Sequence, residues 1–108
     1  MVTPPDLTEE QRRVALEKAA RARRLRAEVK ERLKIGVLTL RELLDEIDGT
    51  GEDAEVLGKL KVVSMLESLP GVGKVRARQC MREFEISETR RLRGLGPNQR
   101  RALLSRFG

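Results

Sequence analysis

The sequence predicts an all-α protein, a long N-terminal helix followed by a compact bundle of short helices. Three observations carry that expectation. Apolar residues recur at three- and four-residue spacing while sustained two-residue alternation is absent. Two capping boxes, Thr8-Glu9-Glu10-Gln11 and Thr39-Leu40-Arg41-Glu42, mark helix starts. Pro70 and Pro97 sit where one helix must stop and another can begin.

Residues 2–6, with Pro4 and Pro5, form an extended lead-in to the first box. Nothing breaks the helix that follows before Gly36, so about 27 residues, or about 40 Å, are available to it. Leu25, Val29 and Leu33, with Ala22, make an i, i+4 stripe suited to burial. Residues 9–24 offer mainly Ala and Arg and read as a projecting arm, with Glu9/Arg13, Glu17/Arg21 and Glu28/Arg32 as favourable i, i+4 pairs along the helix. The second box opens a short helix with Leu40, Leu43, Leu44 and Ile47 on one face, and Asp48-Gly49-Thr50-Gly51 ends it in a loop. Residues 61–69 read as a helix with Val62, Met65, Leu66 and Leu69 inward, and residues 74–84 as another with Ala77, Cys80, Met81 and Phe84 inward. Ser87-Glu88 reads as the cap of a short helix toward Leu92, and Pro97 as the start of a final helix burying Ala102, Leu103 and Phe107.

A chain of 108 residues is one domain, divided in composition into a basic segment 1–34, an acidic segment 35–57 and a basic segment 58–108. Their net charges are +4, −6 and +8, which sum to +6. The acidic stretch should face away from any polyanion. Arg supplies 17 of the 23 cations, and its planar fork suits phosphate. No Trp or Tyr and only two Phe occur, too few rings for a base-stacking platform, so duplex is the better target than single strand. Without His and with Cys80 alone, no usual zinc site, Cys-His nucleophile or intramolecular disulfide can form, and Cys80 reads as a small core hydrophobe. No metal or cofactor is implied. The lack of a leader and of an 18-residue apolar run leads us to expect a cytoplasmic chain with no membrane partner.

The most specific motif is Leu69-Pro70-Gly71-Val72-Gly73-Lys74-Val75-Arg76-Ala77, read as helix, hairpin, helix. Gly71 and Gly73 permit turn conformations and close approach to a ligand, Val72 pins the hairpin to the core, and Ala77 permits tight packing. Free N–H groups at the following helix start, together with Lys74 and Arg76, then converge on a phosphate. Such contacts ignore base sequence. The plain alternative is a glycine-rich turn between packed helices. Leu92-Arg93-Gly94-Leu95-Gly96 repeats the pattern more weakly and reads as a degenerate second hairpin. Just before it, Arg90, Arg91 and Arg93 surround one apolar anchor, suiting either groove contact or a helix end. Lys59 and Lys61, flanking Leu60, suit phosphate contact or a solvated face equally.

Ala15-Leu16-Glu17-Lys18-Ala19-Ala20, Gly58-Lys59-Leu60-Lys61-Val62, the hairpin with Leu66-Glu67-Ser68 ahead of it, and Arg90-Arg91-Leu92-Arg93-Gly94-Leu95-Gly96 together resemble the actinobacterial integration host factor family. Residues 35–57 match its pattern poorly, and Cys80 stands where an aliphatic residue is expected. The resemblance implies an all-α, nucleoid-associated protein with a helix-two-turn-helix module. It also implies duplex DNA binding with little sequence preference, DNA bending, and assistance to a phage integrase on shared DNA. By motif match, contacts fall on Pro70, Gly71, Val72, Gly73 and Lys74 and on Arg90, Arg91 and Arg93. With its clearest stripes needed for its own core, the chain is expected to act as a monomer. An enzyme is disfavoured because Glu83, Glu85 and Glu88 form no paired or metal-binding carboxylates. Structured or ribosomal RNA, and a protein adaptor using the acidic helix, are the alternative readings.

Overall fold

The computed structural model describes residues 8–108, so the lead-in expected over residues 2–6 lies outside the described residues. Thr8 caps α1 (Glu9–Lys34) reciprocally: its hydroxyl accepts from the Gln11 N–H at 3.1 Å while the Gln11 side chain accepts from the Thr8 N–H at 3.0 Å. At 1.5 Å per residue the helix is about 39 Å long. That length accounts for a radius of gyration of 16.5 Å, against about 13 Å for a compact chain of about 100 residues. Residues 8–18 are exposed throughout, whereas Val29 and Leu33 are buried and Leu25 packs against the core.

The ion pairs of α1 differ from the expected set. Arg13 pairs with Glu10 at 2.6 Å and approaches Glu17 at 3.8 Å, and Arg21 reaches Glu52 at 3.8 Å. The long guanidinium stem serves i−3 as well as i−4, and Arg21 sits where α1 meets α3, so a tertiary partner competes with the helical one.

The second capping box forms as expected and opens α2 (Leu40–Ile47), which buries Leu40, Leu43 and Leu44. The Glu42 carboxyl is held below its ordinary range by the Thr39 N–H and hydroxyl, with the Arg32 charge adding to the effect. Beyond the Asp48–Gly51 loop the chain forms an unexpected helix, α3 (Glu52–Gly58). Glu52, Asp53 and Glu55 in its first turn favour the positive helix end, and Ala54 and Leu57 are buried. α4 (Val62–Ser68) and α5 (Gly73–Glu83) pack against one another through Val62, Met65, Leu66, Ala77, Cys80 and Met81. Cys80 is buried, as expected.

The helix expected toward Leu92 from Ser87 is absent. The Ser87 hydroxyl accepts from the Thr89 N–H at 3.3 Å and the Ser87 carbonyl accepts from the Arg90 N–H at 2.9 Å, which closes a turn. The chain then runs extended through Arg91 into a single 3-10 turn, Leu92–Gly94. Nor is there a second hairpin: Gly96 has φ −71°, and the positive φ that marks Gly71 and Gly73 is absent from both Gly94 and Gly96. Pro97 starts α6 (Pro97–Phe107) as expected, with Leu103 buried. α6 is fastened at both ends. Arg100 donates to Asp48 at 2.8 Å and to the Leu44 carbonyl at 3.1 Å; Arg106 pairs with Glu83 at 2.7 Å and lies over the Phe84 ring. These arginine hydrogen bonds hold the Asp48 and Glu83 carboxyls below their usual range.

α1 lies across α3 and α4, and α2 packs on α3 and α6, so one core runs through every described helix. Leu33, Leu43, Leu57, Met65, Leu66 and Leu103 are fully buried, each such side chain contributing about 1.5–3 kcal/mol relative to exposure.

Candidate nucleic-acid interface

Lys59-Leu60-Lys61 and Arg91-Leu92-Arg93 are thirty residues apart in sequence and side by side in space. An antiparallel bridge joins Lys61 to Arg91: the Val62 N–H donates to the Arg90 carbonyl and the Leu92 N–H to the Leu60 carbonyl, each at 2.9 Å. Leu60 and Leu92 are buried beneath the bridge, so alternation leaves the flanking cations in solvent. α1 crosses beside them and adds Arg26 and Lys30.

The result is a groove of about 500 Å³ lined by Arg26, Lys30, Lys59, Leu60, Lys61, Ser64, Arg91 and Arg93, six cations without a carboxylate. Repulsion among like charges makes such a set costly unless an anion occupies it, and concave walls concentrate the field. The Arg91 guanidinium donates to the Lys59 carbonyl, which fixes it across the bridge. Arg90 stands apart from the groove lining: its guanidinium folds back onto the Gly94 carbonyl at 2.7 Å. Of the sequence-predicted residues, then, the fold brings Lys59, Lys61, Arg91 and Arg93 together and gives Arg90 a local partner.

A second cleft continues the surface along α1 and α4. It shares Lys30 and Ser64 with the groove and runs on to Lys34 and Ser68, adjoining the hairpin. There Leu69 is buried, Pro70 and Gly71 are exposed, and Val72 packs against the core. Gly71 and Gly73 adopt φ +75° and +69°, the left-handed region in which a side chain is strained. A Cβ on either would meet no heavy atom within 4 Å, so both backbones stand open to solvent. α5 begins with no side-chain cap and no acidic residue in its first turn, leaving its N–H groups for an external acceptor. Lys74 and Arg76 flank that end, both exposed, with Val75 between them 73% exposed. Arg78 is otherwise engaged, donating to Glu67 at 2.9 Å and pairing with Glu88 at 3.1 Å.

Sequence reading missed Arg26 and Lys30. The usable signal was their i, i+4 spacing, each one residue after a member of the Leu25/Val29 stripe, which sets them on the rim of the buried face. Among the described residues no group of three or more His, Cys, Asp or Glu is placed to hold a metal ion, and no helix is long and apolar enough to cross a membrane.

An all-α module of short helices with a two-turn connection and an uncapped, basic helix start defines a class, and residues 33–107 match the S13-like H2TH domain family. The integration host factor of Mycobacterium tuberculosis is 59% identical over 104 residues, covering 96% of this chain and 95% of that protein. That of Mycolicibacterium smegmatis is 58% identical, covering 95% and 94%. That of Streptomyces coelicolor is 56% identical, covering 100% and 96%. A solved structure of sIHF bound to an 8-bp palindromic DNA superposes with a TM-score of 0.76 at 54% identity, covering 85% of this chain and 99% of that one. The chain belongs to the actinobacterial integration host factor family, which is not a family of enzymes.

Proposed function

We propose that this chain binds duplex DNA with little sequence preference and bends it, as a nucleoid-associated architectural protein. The observation that carries this reading is the carboxylate-free groove in which six cations from three separate stretches of chain converge. The DNA-bound relative supports it. In this reading Arg26, Lys30, Lys59 and Lys61 take backbone phosphates, while Arg91 and Arg93, with Arg90 beside them, reach the minor groove. Guanidiniums there favour narrow A·T tracts, giving at most a mild preference. The hairpin supplies a second phosphate site, where the open backbone of Pro70, Gly71, Val72 and Gly73 lets an oxygen approach the α5 amides beside Lys74 and Arg76.

Bending follows from the separation of the two contacts. Groove and hairpin lie toward opposite ends of the α1–α4 cleft, and a duplex curved over that cleft can engage both. Curving a short site costs on the order of 1–6 kcal/mol, which the added phosphate contacts must offset. One copy suffices, because the apolar stripes of the helices are consumed by the core. A protein that curves DNA in this way assists a site-specific recombinase, such as a phage integrase, by bringing the arms of a shared site together.

The test is a duplex of about 20 base pairs carrying a dye at each end, titrated at several salt concentrations. Neutralising about five phosphates predicts a log–log slope near −4.5, about a 500-fold loss of affinity from 50 to 200 mM salt. The ends should draw closer at one protein per duplex, and double-stranded RNA should compete poorly. A slope shallower than about −2, or an unchanged end-to-end distance at saturation, contradicts the reading.

A further inference from the structure

Gly58 closes α3 with an ordinary negative φ, so nothing in its backbone requires glycine. Glycine is also the poorest helix former after proline, which makes its presence a question of space. Gly58 is buried, and a Cβ built on it would lie 3.2 Å from the Arg93 Cβ, 3.6 Å from the Ile47 Cγ2 and 3.7 Å from the Arg93 Cδ. The stem of Arg93 therefore rests directly on the Gly58 backbone. Its surroundings differ on the two sides. One side is the cationic groove; the other is a notch lined by Ile47, Ala54 and Glu55 among others, where a carboxylate waits.

We propose that Gly58 is a positioning residue for DNA binding: its missing side chain seats the Arg93 stem so that the guanidinium stands in the groove rather than against Glu55. This rests on the proposed role of Arg93 at the duplex. A long, flexible arginine loses rotamer freedom when it binds, and a stem already seated loses less, so the seat raises affinity without touching DNA. Adding one methyl group at residue 58 moves the stem by a few tenths of an ångström or more, because its nearest neighbour is the Arg93 Cβ, which cannot swing aside independently of its backbone.

The experiment is a double-mutant cycle. Duplex affinity and thermal melting are measured for the parent, Gly58→Ala, Arg93→Ala and the double variant. Gly58→Ala should bind about 5-fold more weakly while melting close to the parent, and Arg93→Ala should bind about 10-fold more weakly. The double variant should match Arg93→Ala, since a displaced stem no longer matters once the guanidinium is gone. Parent-like affinity in folded Gly58→Ala, or a full additional 5-fold loss in the double variant, overturns the proposal. An Arg93→Ala variant that binds as well as the parent instead overturns the assignment of Arg93 to the duplex. Should Gly58→Ala fail to fold, the Arg93 Nε–Hε order parameter in the parent decides the matter. A value clearly above that of exposed Arg76 supports the seat, and equal mobility contradicts it.

Discussion

Gly73→Asp is expected to lower affinity about 100-fold on every duplex sequence alike, equivalent to about 2.7 kcal/mol. The position has φ +69° and open space around its Cβ, at the uncapped start of α5. A carboxylate there occupies the place of a phosphate oxygen, removing a charge-assisted contact worth about 1.5–3 kcal/mol and adding repulsion. Backbone strain is the competing explanation, and Gly73→Ala isolates it: alanine carries the same left-handed penalty without the charge. Alanine should therefore lose less than about 10-fold, roughly the effect of conformational strain alone. Equal losses for the two variants, both folded by circular dichroism, would mean that the hairpin acts through its shape and that no phosphate sits at the helix start.

The second large effect is expected from emptying the groove. Lys30, Lys61 and Arg93 line it from three separate stretches of chain, and none takes part in an ion pair among the described residues. The triple replacement by Ala should lower affinity about 100-fold at physiological salt and make the salt slope shallower by about 2.7, or 0.9 per lost phosphate contact. Surface replacements of this kind change stability by under about 0.5 kcal/mol each, so the fold persists. Affinity lost with the slope unchanged would show that these side chains act on something other than phosphates.

What was legible in the sequence was local. Both capping boxes span three residues and form as read, with Thr8 and Gln11 and then Thr39 and Glu42 satisfying each other. Pro97 and the glycine pair of the hairpin act through their own backbone, and they too behave as read. Failures came where distant partners decide. Ser87-Glu88 has the composition of a cap, yet residue 91 is drawn into extended pairing with residue 61, and a helix cannot supply that geometry. α3 was missed because Gly51 caps it with no side-chain hydrogen bond and its seven residues are too few for periodicity to show; its apolar side is fixed by α1 and α2. The groove has the same origin. Lys59, Lys61, Arg91 and Arg93 were visible as basic pairs around single leucines, but only the bridge makes them one surface, and only the path of α1 adds Arg26 and Lys30. Arg90 illustrates the converse, since a run of three arginines in sequence need not be one cluster in space.

The most direct measurement is a map of backbone amide and arginine side-chain resonances with and without one equivalent of a short duplex. Perturbations should concentrate at Arg26, Lys30, Lys59, Lys61, Arg91 and Arg93 and at the hairpin from Gly71 to Arg76. The acidic surface carrying Asp45, Glu46, Asp53 and Glu55 should stay unchanged. Perturbations centred on that acidic surface or on the outer face of α6, with the groove silent, would contradict the assignment of the basic groove to DNA.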